Sequence, residues 1–106
     1  MDYQKLASLL KVVAEPNRLQ ILEMLSCGEM CACDILKNFD FTQPTLSHHM
    51  KVLEKEELVH VTKKGKWHHY SLNQDTAALL INGLSKTLSN TEDCICKITC
   101  KKLVWK

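Results

Sequence analysis

Apolar residues in the first quarter of the chain recur at helical intervals. Tyr3, Leu6, Leu9, Leu10 and Val13 share one side of a helical repeat and predict an amphipathic helix over about 2–13. Glu15-Pro16 opens a second helix, because proline suits a first turn with its φ already set. Leu19, Ile21, Leu22 and Leu25 are its expected buried stripe, and Cys27-Gly28 ends it. A short third helix, about 31–39, turns Ile35, Leu36 and Phe39 inward. Thr42 is the expected N-cap of a fourth, about 43–55, with Pro44 in its first turn. On that helix Leu46, Met50 and Leu53 repeat at +4 and +3 and face the core.

The period then shortens. Val59 to Thr62 and Trp67 to Leu72 are β-favouring runs, joined by Lys63-Lys64-Gly65-Lys66, where a glycine suits a hairpin turn. A last helix, about 75–89, aligns Ala77, Leu80, Leu84, Thr87 and Leu88. The expected order is α-α-α-α-β-β-α. The third helix, the Asp40–Phe41 turn and the fourth helix match a helix-turn-helix, and the hairpin supplies a wing. The predicted fold class is therefore mainly α with a β-hairpin wing (α+β), a winged helix-turn-helix. Residues 1–89 form the domain and 90–106 a cysteine- and lysine-rich tail.

A chain of 106 residues suits one domain with a modest core. No apolar run approaches the roughly 20 residues that span a bilayer, so no membrane role is expected. The N-terminal stretch, with acidic Asp2 near its start, reads as an amphipathic helix and not a signal peptide. A cytoplasmic location is expected.

Net charge is only +2, but its distribution is uneven. Lys51, Lys55, Lys63, Lys64 and Lys66 outnumber Glu54, Glu56 and Glu57 between residues 41 and 72, where all five histidines also lie. Lys97, Lys101, Lys102 and Lys106 close the chain without an acid. Such patches suit phosphate contact, although charge alone favours a solvated surface. On the fourth helix Thr45, Ser47, His48, Lys51 and Lys55 are left facing outward or sideways. A recognition helix needs that surface, since its first turns present donors to base edges in the major groove. Gln43 can pair bidentately with adenine, while Ser47 and His48 suit bases or phosphates. Lys63, Lys64 and Lys66 at the wing tip would meet phosphates and position the duplex. His49, at the edge of the core stripe, is expected to be structural. His69 and Tyr70 are expected to hold the wing to the body.

Six cysteines form two clusters, Cys27, Cys31 and Cys33, then Cys94, Cys96 and Cys100. The cytosol keeps thiols reduced, so clustering there favours metal binding or redox chemistry over a disulfide framework. Cys31 and Cys33 fall at the start of the third helix, where free N–H groups favour the thiolate. Inside a regular helix, residues two apart point about 200° from one another. Closing both sulfurs on one ion is therefore expected to unwind the first turn and disturb the fourth helix. Cys27 is expected to be a small buried residue. The tail's C-x-C-x3-C offers three ligands by itself, or completes the Cys31–Cys33 site from the same or the partner subunit. No spacing links a nucleophile to a base, so an enzyme is not expected.

Three runs carry a family resemblance: Cys31-Ala32-Cys33-Asp34-Ile35-Leu36, Gln43-Pro44-Thr45-Leu46-Ser47-His48-His49-Met50-Lys51-Val52-Leu53, and Gly65-Lys66-Trp67-His68-His69-Tyr70-Ser71-Leu72. Across roughly residues 3–88 the chain resembles the ArsR/SmtB metalloregulators, closest to the arsenite-responsive arsenical-resistance operon repressors. The resemblance implies a homodimer built on the first and last helices, bound to double-stranded operator DNA with an inverted repeat. It implies DNA contacts from Gln43, Ser47 and His48, and release when three thiolates take up the inducer, As(III) or Sb(III), with no organic cofactor. Some relatives carry a third cysteine three residues after the C-x-C, where this chain has Leu36. Zinc-sensing relatives use histidines on the last helix, where this chain has Ala77. Cadmium- and lead-sensing relatives draw cysteines from an N-terminal arm, and none precedes Cys27 here. The alternatives are a thiol redox sensor or a Cd/Pb/Zn sensor of the same fold, and a metal buffer without a DNA role.

Overall fold

A computed structural model describes residues 2–89, and the tail's cysteines and lysines lie outside the described residues. Helix α1 (Tyr3–Val13) starts where the Asp2 carboxylate accepts from the Gln4 and Lys5 N–H groups at 3.0 and 3.2 Å. Helix α2 (Pro16–Leu25) starts in the same way, with the Glu15 carboxylate accepting from Asn17 and Arg18. Each side chain satisfies N–H groups that a helix start leaves without partners. After Gly28, which turns the chain at φ +143°, a two-residue strand β1 (Met30–Cys31) precedes α3 (Ala32–Leu36). Helix α4 (Gln43–Lys55), strands β2 (Val59–Lys64) and β3 (Trp67–Leu72), and α5 (Gln74–Leu88) follow.

Helix α4 ends in a Schellman motif. Leu58 N–H donates to the Leu53 carbonyl at 3.0 Å and Glu57 N–H to the Glu54 carbonyl at 2.9 Å. Glu57 adopts φ +61°, which a side chain ordinarily avoids. Leu53 and Leu58, at the two ends of the motif, are both buried. At the hairpin Lys64 pairs with Trp67, so the turn is only Gly65-Lys66. Gly65 supplies the positive φ, +66°, that a two-residue hairpin turn needs first.

The sheet has three antiparallel strands in the order β1-β3-β2, one more than the hydrophobic pattern predicts. Met30 faces Tyr70 and Cys31 faces His69. Leu9, Ile21, Leu25, Ile35, Leu46, Met50, Leu53, Leu58, Val59 and Tyr70 form one core beneath the sheet and helices. Three expected core positions, Leu19, Thr87 and Leu88, are exposed. Leu19 lies two residues from Ile21, hence across the helix from it, and is 53% exposed. On α5 Ala77, Leu80 and Leu84 are half-buried, but Thr87 and Leu88 face outward. α3 stops at Leu36, three residues before its expected end, although Leu36 and Phe39 still pack against the core. No described helix is long and apolar enough to cross a membrane.

Candidate nucleic-acid interface and thiol pair

Leu46, His49, Met50 and Leu53 bury one face of α4 and so expose the other. Gln43, Thr45, Ser47, His48 and Lys51 are all exposed there. Thr42 occupies the N-cap position but makes no side-chain cap bond; its hydroxyl lies 3.3 Å from that of Thr45. The roll of α4 is held from below by His49, 7% exposed. Its Nδ1 lies 3.2 Å from the Arg18 guanidinium and its Nε2 lies 3.8 Å from the Glu15 carboxylate. Burial pushes the His49 pKa below its usual value; Glu15 opposes this and Arg18 adds to it. A neutral ring fits both contacts, with Nδ1 accepting from Arg18. Arg18 Nε also donates to the Val12 carbonyl at 2.6 Å, so α4 is tied to the α1–α2 corner.

On the wing Lys63 and Lys66 are exposed. Lys64 is already engaged, its Nζ lying 2.7 Å from the Glu29 carboxylate. The same carboxylate oxygen lies 3.2 Å from His69 Nδ1. The hydrogen bond from Lys64 holds the Glu29 carboxyl below its usual pKa against a smaller opposing cost of desolvation. Glu29 is a residue that sequence reasoning missed. Its partners lie thirty-five and forty positions away, and no periodicity reports a pair so remote. Tyr70 is buried and His69 half-buried against Glu29, as expected of residues that hold the wing.

The thiols depart from expectation. Cys31 is the N-cap of α3 and the last residue of β1, with extended backbone at φ −73°, ψ 145°. It stands outside the helix, so the 200° divergence of residues two apart does not govern it. Its sulfur accepts from the Cys33 N–H at 3.4 Å and lies 2.7 Å from the Cys33 sulfur. That separation exceeds a disulfide bond of about 2.05 Å, and both thiols are free. Bringing the two sulfurs together therefore requires no unwinding of α3. The hydrogen bond from Cys33 lowers the Cys31 thiol below its usual pKa, and donating that proton raises Cys33 above its own. Such a pair is a soft two-sulfur donor suited to thiophilic ions. No third Cys, His, Asp or Glu joins it among the described residues. Cys27, expected to be buried, is exposed in the loop after α2. Cys33 shares a cavity of about 360 Å³ with Gln43, Ser47 and Lys66, so a thiol and the exposed polar face of α4 border one space.

Residues 15–61 match a family model described as bacterial regulatory protein, arsR family. The chain is 47% identical over 97 residues to the arsenical resistance operon repressor of Staphylococcus xylosus, covering 92% of this chain and 93% of that one. It is 46% identical, over the same shares, to the protein of the same name from Staphylococcus aureus. Among solved structures, an ArsR family transcriptional regulator superposes with a TM-score of 0.76 at 21% identity, covering 86% of this chain and 98% of that one. HlyU from Vibrio cholerae superposes with a TM-score of 0.67 at 29% identity, covering 81% and 94%.

Proposed function

Because the chain belongs to the arsR family of bacterial regulatory proteins, we propose that it is a cytoplasmic transcriptional repressor that holds operator DNA as a homodimer and releases it when arsenite or antimonite binds Cys31 and Cys33. One observation carries this reading: the two sulfurs already converge, in a chain nearly half identical to arsenical resistance operon repressors. Residues 1–89 are the DNA-binding and dimerisation unit. Tyr3 on α1 and Leu79, Ile81 and Leu88 on α5 are at least half exposed, an apolar surface that a second copy would cover. Two copies would present two α4 helices to the half-sites of an inverted repeat about one helical turn apart. Gln43, Thr45, Ser47 and His48 address base edges and nearby phosphates, and Lys51, Lys63, Lys64 and Lys66 the backbone.

Trivalent arsenic and antimony form three bonds, and Cys31 and Cys33 fit two. One of Cys94, Cys96 and Cys100 in the tail, residues 90–106, is the third donor. Recruiting it pulls on the β1–α3 junction. Cys31 is paired in register with His69 of the wing, and Glu29 beside it holds Lys64. The junction therefore leads directly to the wing, while α3 leads to α4 across a six-residue connection, 37–42. Binding shifts the dimer away from its DNA-competent arrangement by the ion's preference for the other state.

The test is a mobility shift on an inverted-repeat operator with arsenite, antimonite, cadmium, zinc and peroxide in turn. Release by arsenite or antimonite at concentrations where cadmium and zinc do nothing supports the proposal. Release by peroxide alone supports a second reading, a redox sensor. The 2.7 Å sulfur separation favours that reading too. The two thiols would give two electrons and two protons to the peroxide, yielding one disulfide and two waters. Failure to bind duplex at all refutes both.

A further inference from the structure

The cavity beside Cys33 lies between α3, the first turns of α4 and the outer half of the wing, from Lys66 to Tyr70. Leu36, Leu46, Trp67 and Tyr70 provide apolar and aromatic surface, and Gln43 and Ser47 of the DNA-facing helix share it. We propose that this cavity receives the organic substituent of a monosubstituted trivalent arsenical held by Cys31 and Cys33, an aryl group fitting best. The inference rests on the thiol pair acting as the inducer site.

Arsenic that already carries one carbon needs only two thiolates. The pair supplies two, and no third candidate donor joins it among the described residues. The carbon substituent then needs an apolar environment, and Cys33 stands in the cavity wall. A volume of about 150 Å³ is enough to take up a benzene ring. Here about 360 Å³ is present, room for a phenyl ring and a margin around it. Trp67, next to the hairpin turn, is 49% exposed and offers an aromatic surface to be covered. The same occupant would crowd Gln43 and Ser47, so aryl arsenical and duplex compete for one set of side chains. That route to release needs neither a tail cysteine nor a change in the fold.

The chemistry balances without a redox partner. Phenylarsonous acid, C6H5As(OH)2, reacts with the two thiols. Two As–O and two S–H bonds break, two As–S bonds form, and each thiol proton leaves with a hydroxide as water. Arsenic stays trivalent throughout.

The test measures release of a fluorescently labelled operator duplex by phenylarsonous acid, methylarsonous acid and arsenite. Binding of each to the DNA-free protein is measured by calorimetry. Each affinity is divided by that of the same arsenical for dithiothreitol, which removes the intrinsic preference of a dithiol. We expect the phenyl compound to remain about tenfold tighter than the methyl compound, the extra buried apolar surface being the cause. Trp67→Ala and Leu36→Ala should each reduce that ratio several-fold and leave the arsenite response in place. A phenyl-to-methyl ratio near one overturns the cavity assignment, while arsenite release in the same experiment leaves the proposed function standing. A ratio that persists unchanged in both variants overturns it as well. If all three compounds fail to bind, the thiol pair is not the inducer site, and both proposals fall.

Discussion

Replacing Glu29 with glutamine tests whether the wing lysine is held back from DNA. The Glu29 carboxylate lies 2.7 Å from Lys64 Nζ, with both side chains about half exposed. An exposed ion pair adds little to stability, so Glu29→Gln should leave the thermal midpoint nearly unchanged. Its effect should appear in DNA binding. If Lys64 must leave Glu29 to reach a phosphate, that weak attraction opposes binding, and removing it tightens the operator complex by roughly 1.4- to fivefold. A cation freed to neutralise one more phosphate steepens the slope of log K against log salt by up to about 0.9. The assay is fluorescence anisotropy of a labelled operator between about 50 and 200 mM salt, a range over which phosphate contacts are resolved. Losing a negative charge near the duplex would also help non-specifically, so the control is the Lys64→Ala background. Lys64→Ala alone should weaken binding to every sequence and flatten the slope. Glu29→Gln should add nothing to it if the carboxylate acts through Lys64. Equal affinity and slope for the wild type and Glu29→Gln would refute the argument, as would a gain that survives without Lys64.

Four further outcomes are expected. Cys31→Ser and Cys33→Ser should each bind operator normally and fail to release it with arsenite; an unchanged response in both would move the sensor to the tail. Ser47→Ala or His48→Ala should cost roughly 1–3 kcal/mol on the cognate operator and little on random duplex, as read by competition binding. Glu57→Gly should stabilise the fold by about 0.5–1 kcal/mol, seen as a higher urea midpoint, because glycine relieves the positive φ at the end of α4. Acidification should destabilise the fold through His49. Its pKa is lowered from 6.5 in the folded chain, so below about that pH the unfolded chain takes up a proton that the native ring resists. Stability should fall as pH drops from 7 towards 5, with a smaller fall in His49→Gln under denaturant titration.

Much of the architecture was legible because it rests on local periodicity. The bounds of α4, Gln43–Lys55, match those predicted from Thr42, Pro44 and the Leu46-Met50-Leu53 stripe. The hairpin follows from a β-favouring run either side of a glycine, and the outward face of α4 follows from its buried one. A capping residue, a turn glycine and a repeat of three or four positions are all decided within a few residues of themselves.

What the chain alone did not determine are relations between distant segments. Strand β1 has two residues and no pattern; it exists because β3, nearly forty positions later, supplies its hydrogen-bond partners. That pairing keeps Cys31 extended and outside α3, which turns a helical i, i+2 pair with divergent side chains into two sulfurs 2.7 Å apart. It also sets Glu29 beside Lys64 and His69, and draws Cys33, Ser47 and Trp67 around one cavity. Composition and spacing name the groups that can donate sulfur or hydrogen bonds. Only the folded chain sets their separations, because those depend on strand pairing and helix packing that close loops far longer than any motif.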